Sequence, residues 1–167
     1  MNNNFIEAKE LLKQPIEIQQ KFMDWWQPKI GDLFELHIIE YNDYGEGSEE
    51  QTVLRKDEYN IIKSISENML KESKENMIDM IKDVNYADRF TLCLNMSQLI
   101  DYIEDNSLCK IDIEYSPRKE KGYRINFYKI VDTEYGERCD FLSKRENLGH
   151  NLLQALWKVA CKIEKDK

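Results

Sequence analysis

The strongest constraint on this chain lies between residues 109 and 127. Cys109, Ile111, Ile113 and Tyr115 alternate with Lys110, Asp112 and Glu114, the period-two pattern of a strand with one buried face. The polar stretch SPRKEKG reads as a turn, after which Tyr123, Ile125 and Phe127 resume the alternation, so the two runs predict a β-hairpin. Such a hairpin has to cover its apolar face, and the flanking periodicities supply the cover. Upstream, Phe90, Leu92 and Leu94 alternate with Thr91 and Cys93 as another strand. Asn95 and Gln98 then form a capping box before a helix whose Leu99, Ile100 and Ile103 line the buried side. Downstream, a further strand around Arg138–Leu142 leads to a helix capped by Ser143 and Glu146, with Leu148, Leu152, Leu156, Val159 and Ile163 in one stripe and Gly149 weakening its first turn. The order β-α-β-β-(β)-α predicts an α+β protein, a sheet with two helices on one face or on opposite faces.

The first half is more helical in pattern. Apolar residues recur at helical spacing from Phe5 to Trp26, interrupted by Pro15. The proline predicts one short helix to about Lys13 and a second beginning at Pro15. Phe22, Trp25 and Trp26 share a face of the second helix, which Pro28 and Gly31 end. LFELHIIE, residues 33–40, reads as a half-buried strand, and TVLR, residues 52–55, pairs back across an acidic tip from Asp43 to Glu50. Tyr59, Ile62, Ile65, Met69, Met77, Ile81 and Val84 then predict a long amphipathic helix over Lys56–Val84, with a joint near the polar KESKEN. Its methionines are read as a core stripe rather than an adaptable groove. Residues 1–87 therefore carry helices, hairpin and long helix, residues 88–167 the β-α-β-β-α unit, and together they make one compact protein.

Charge and composition exclude several classes. The net charge of −8 opposes direct nucleic-acid binding, which relies on Lys and Arg displacing counterions from phosphates, and suits a partner with a basic surface. With 41% hydrophobic and 34% charged residues and only 6 Gly and 3 Pro, the composition is that of a folded domain. MNNNFIEAKELLKQ lacks a basic leader and an apolar run, and no stretch has the ~18 to 20 apolar residues of a membrane span. A cytoplasmic protein is expected. Cys93, Cys109, Cys139 and Cys161 form no C-x-x-C pair and read as buried thiols in a reducing compartment.

WWQPKIGDLF (25–34), RFTLCLNMSQLIDYIEDN (89–106) and NLLQALWKVACKIE (151–164) together resemble a loose group of small phage and prophage proteins of low-GC Gram-positive bacteria. The Trp-x-Pro-x-x-Gly-Asp pattern of that group falls on Trp26, Pro28, Gly31 and Asp32. The C-terminal region is also similar in element order to the phage α-β-α sandwich domain. The resemblance transfers no catalytic residue. It implies an accessory role, such as handling replication proteins or blocking a host defence nuclease with carboxylates spaced like phosphates.

The residues agree in showing no nucleophile with a base, no P-loop and no G-x-G-x-x-G. His37 and His150 read as a strand residue and a helix-start residue. Asp112 and Glu114, two apart on one strand face, would hold magnesium only with a third acid, and alternation places them on the solvent side beside Lys110. No cofactor and no metal are expected. The best candidate surface is the acidic tip, where Asp43, Glu46, Glu49 and Glu50 accompany Tyr41 and Tyr44. Adjacent helical residues lie about 100° apart, so Trp25 and Trp26 cannot both face one core layer. Trp26 falls in the pattern of the phage group and precedes the proline turn, so it is assigned to packing between helix and sheet, and Trp25 is the tryptophan left to contact a partner. The expectation is a non-enzymatic, anti-CRISPR-like inhibitor binding a basic protein of host or phage, such as a nuclease complex. The alternatives are an accessory protein that self-associates through its long helix and a metal-dependent nuclease or hydrolase.

Overall fold

The alternating segments become two antiparallel sheets, and the helix behind the Asn95–Gln98 box connects one to the other. The computed structural model describes residues 4–43, 54–67, 69, 90–117 and 121–163. Among these, α1 (Ala8–Leu12), α2 (Ile16–Trp25), β1 (Leu33–Asp43), β2 (Leu54–Ser64), β3 (Phe90–Cys93), α3 (Met96–Ser107), β4 (Lys110–Ser116), β5 (Gly122–Thr133), β6 (Gly136–Arg145) and α4 (Leu152–Ile163) follow in order. The first sheet has the order β2-β1-β3 and the second β4-β5-β6, so the strand at Phe90–Cys93, expected in one sheet with the 109–127 hairpin, pairs instead with β1. The class is α+β.

Local chemistry sets most boundaries. Pro15 stands at the N-cap of α2, where its missing N–H costs no helical bond. Asn95 accepts from the Gln98 amide at 3.0 Å while the Gln98 side chain accepts from the Asn95 amide at 2.9 Å, completing the capping box ahead of α3. Ser143 and Glu146 do not cap the last helix. Ser143 is paired with Phe127 inside β6, and Asn151 caps α4 by accepting from the Gln154 amide at 3.0 Å. Gly149 accordingly lies ahead of α4, with φ +90, and forms a parallel bridge with Gly122. The second sheet bids harder for residues 143–145 than a local cap does.

The helix expected from Lys56 is overturned over its N-terminal segment. Residues 54–64 form β2 and pair with β1 from Leu33↔Ser64 to Asp43↔Leu54. Ile62, counted in the core stripe of that helix, is 47% exposed, whereas Ile65, just beyond β2, is buried. The spacing of 59, 62 and 65 fits a helix by coincidence. Eleven paired positions on β1 outweigh local propensity, as non-local pairing commonly does for strands. Residues 70–84 of the expected helix lie outside the described residues.

A single cluster of buried side chains takes in Phe22 and Trp26, Phe34 and Leu92 of the first sheet, Leu99 and Tyr102 of α3, Ile125 and Phe127 of β5, and Leu156 and Trp157 of α4. The core therefore crosses from residues 1–87 into residues 88–167. Phe22 stacks on Tyr102 at 4.1 Å and meets Trp157 at 5.1 Å, so α2 is the element the helices α3 and α4 share. In β3, Thr91, Leu92 and Cys93 are all buried. Alternation there separates two covered faces: Leu92 belongs to the core cluster, and α1 also packs against the strand.

Candidate binding surface

The chain changes direction between Trp25 and Trp26, and this separates their side chains. Trp25 ends α2, while Trp26 is already extended with φ −63 and ψ 125. Trp26 turns inward and is 1% exposed. Its indole N–H donates to Asp32 Oδ2 at 2.8 Å, and the same oxygen accepts the Lys29 amide at 3.0 Å. Gly31 between them adopts φ +92, a conformation glycine takes at little cost, and its amide donates to the Ile65 carbonyl at 2.9 Å. Trp26, Gly31 and Asp32 of the Trp-x-Pro-x-x-Gly-Asp pattern thus work as one device: the glycine bends the chain so that the carboxylate can meet the buried indole.

Trp25 stays half-buried. Its ring stands edge-on to Tyr102 at 5.1 Å and 86°, and its N–H donates to Asp105 Oδ2 at 2.9 Å. It borders an open cleft of about 400 Å³ between the end of α2 and α3, lined also by Gln27, Lys29, Asp101, Glu104, Asp105 and Lys110. Asp101, Glu104 and Asp105 recur at helical spacing, which brings all three to this side of α3. Glu104 binds Lys110 and accepts the Ile111 amide at 3.0 Å, tying the start of β4 to the helix. Its hydrogen bond and charge raise the Lys110 pKa above the ordinary lysine value. Asp101 is exposed. The cleft joins one oriented aromatic ring to a mostly anionic wall.

The other expected contact residues fall elsewhere. Tyr41 and Asp43 sit on β1 opposite Lys56 and Leu54. Tyr44, Glu46, Glu49 and Glu50 lie outside the described residues. In RFTLCLNMSQLIDYIEDN the apolar stripe of Leu99, Ile100 and Ile103 dominates the pattern and hides the α3 acids. The acids recurring on the opposite side of that same helix were the available signal.

Asp112 and Glu114 are exposed on β4, as alternation predicts. The amide of buried Asn126 donates to Glu114 at 2.9 Å and to Asp112 at 3.4 Å. Among the described residues no three His, Cys, Asp or Glu side chains are placed to share a metal. Arg124 bridges Glu114 at 3.1 Å and Glu146 at 2.8 Å beside a smaller cavity of about 190 Å³. Lys144, and with it Arg124, holds the Glu146 carboxyl below its ordinary pKa. His37 Nδ1 lies 2.6 Å from Asn60 Oδ1, and His150 Nδ1 lies 3.1 Å from the Tyr115 hydroxyl.

The cysteines do not all behave as buried thiols. Cys93 and Cys161 are buried, Cys109 is half-buried and Cys139 is exposed. Cys139 lies on the edge strand β6, where no described element covers it. Burial pushes the Cys93 thiol up to about 12.

No protein-family model, curated protein or solved structure matches this chain. No helix among the described residues is long and apolar enough to cross a membrane.

Proposed function

We propose that this chain is a non-enzymatic binding protein that docks an acidic, aromatic surface on the basic face of another protein. The resemblance to phage accessory proteins makes a host nucleic-acid-targeting defence complex the partner class, with the carboxylates occupying its basic channel. The observation that carries this reading is Trp25, half-buried at the edge of the cleft, held by Tyr102 and Asp105 and flanked by the α3 acids. A tryptophan already fixed in place loses little entropy on binding, and aromatic anchors of this kind dominate interface energetics.

The test is affinity capture from a bacterial host with four baits: the natural protein, Trp25→Ala, Asp101→Lys, and the hairpin triple reversal at Glu46, Glu49 and Glu50. A basic nucleic-acid-handling protein retained by the natural bait and lost with Trp25→Ala and Asp101→Lys supports the cleft as the contact. Loss only with the triple reversal moves the contact to residues 46–50. Recovery of the same proteins by all four baits refutes an acidic contact. Inhibition of the captured partner should saturate at a fixed molar ratio, whereas turnover by a small fraction of added protein would show an enzyme.

A further inference from the structure

The last turn of α3 carries charge of the wrong sign for its position. A helix C-terminus favours cations, yet Glu104 and Asp105 occupy it and no basic residue stands in that turn. Asp101, four residues before Asp105 on the same helix, adds a like-charged pair that is unfavourable by itself. Glu104 is compensated, by Lys110 and by the Ile111 amide. Asp105 receives only the neutral indole N–H of Trp25, on Oδ2, and exposed Asp101 has no hydrogen bond or salt bridge among the described residues.

These two carboxylates share the cleft of about 400 Å³ with Trp25. Its lining sets the carboxylates of Asp32, Asp101, Glu104 and Asp105 against Lys29 and Lys110. Asp32 is buried and already accepts from the Trp26 indole and the Lys29 amide, while Lys110 is held by Glu104. What remains for a ligand is one aromatic ring, the two uncompensated carboxylates and the exposed Lys29 at the rim. Among the described residues no three acids converge on one point, so the lining suits an extended cation rather than a metal ion.

We infer that the cleft receives a single arginine side chain of the partner protein, its guanidinium lying against Trp25 between Asp101 and Asp105. This rests on the reading of the cleft as the contact surface and supplies the chemistry of that contact. A guanidinium presents its donors in a planar fork, which serves both oxygens of Asp101 and the Oδ1 of Asp105, and its flat face packs on an indole. A lysine ammonium is a compact, more strongly hydrated charge and gains less from the ring. The Trp25–Asp105 bond fixes ring and carboxylate relative to each other before the ligand arrives, so the incoming side chain bears most of the ordering. Its charge also offsets the like-charged pair and the anionic helix end.

The site can be read in the full chain, because Trp26 and Trp157 are 1% and 4% exposed and Trp25 is the indole within reach of solvent. Its Nε1–H resonance, assigned by its loss in Trp25→Phe, is followed by NMR against capped Gly-Arg-Gly, Gly-Lys-Gly and Gly-citrulline-Gly at one ionic strength. The arginine peptide should move it saturably with a Kd of about 1 to 10 mM. The lysine peptide should bind at least about threefold more weakly, and the neutral citrulline peptide should not bind. Asp101→Asn should weaken the arginine peptide about three- to tenfold and Lys29→Gln should tighten it about twofold, whereas Asp132→Asn, an acid of β5 outside the lining, should leave it unchanged. No saturable shift up to about 20 mM, equal responses to arginine and lysine, or equal effects of Asp101→Asn and Asp132→Asn would each overturn the inference. Failure of the peptide beside host capture that Trp25→Ala abolishes overturns the arginine site and leaves the binding-protein reading intact. Arginine binding without any host capture supports the site and removes the proposed partner class instead.

Discussion

The indole N–H of Trp25 donates to the carboxylate of Asp105 across 80 positions of sequence, at 2.9 Å. This bond sets the ring against Tyr102 and holds the end of α2 to the last turn of α3, the two sides of the cleft.

The coupling between these residues is measurable. Trp25→Phe keeps an aromatic ring against Tyr102 and removes the donor; Asp105→Ala removes the acceptor. A double-mutant cycle by urea unfolding should return a coupling of about 0.5 to 1.5 kcal/mol.

Asp32 should matter more, because it and the Trp26 indole it accepts from are buried. Asp32→Ala leaves the Trp26 indole N–H and the Lys29 amide without their acceptor, an expected loss of about 2 to 4 kcal/mol. Asp32→Asn keeps one acceptor oxygen and should lose less. Denaturant midpoints compared across the three proteins decide it.

Two glycines with positive φ should respond differently to alanine. A Cβ at Gly122 would lie 2.0 Å from the Gly149 carbonyl oxygen, whereas one at Gly31 meets nothing within 4 Å. Gly31→Ala should cost about 1 kcal/mol of backbone strain. Gly122→Ala must push the Gly149 backbone away from its own and should cost more than about 3 kcal/mol. Thermal melting would rank them, and an equal effect would contradict the Gly122–Gly149 approach.

Leu108 ends α3 in the left-handed region, with φ 56, and its side chain is 86% exposed. Leu108→Gly should therefore stabilise the protein by about 0.5 to 1 kcal/mol, removing strain and losing little packing. An unchanged or lower melting temperature would contradict that geometry.

Thiol chemistry should follow burial. In the native protein at mild alkaline pH, iodoacetamide should label Cys139 and spare Cys93 and Cys161. Burial, followed by the nearby charge of Glu35, raises the Cys93 pKa from 9.0 to about 12. Folding favours the neutral thiol, so this stability is fully present below about 9 and is lost as the pH rises toward about 12. Urea midpoints at pH 8 and pH 10 should fall further apart in the natural protein than in Cys93→Ala.

What was legible in the sequence was what neighbours in the chain decide. The Asn95–Gln98 box, the break at Pro15, the β4–β5 hairpin and the inward turn of Trp26 each follow from residues a few positions apart. Asp112 and Glu114 face solvent as alternation required. The misread segments have distant partners. Residues 56–64 carry a helical spacing, yet β1 takes them as a strand, and residues 143–145 carry a plausible cap, yet β5 takes them as its neighbour.

The functional surfaces divide in the same way. Amino-acid order by itself determined that the chain is acidic and that its elements alternate in an α+β order. Only the tertiary structure decided that Trp25 meets α3 and that the α3 acids share its cleft. Periodicity assigns each residue to a face of its own element. Which faces meet, and which remain uncovered, depends on pairings between residues far apart in the chain.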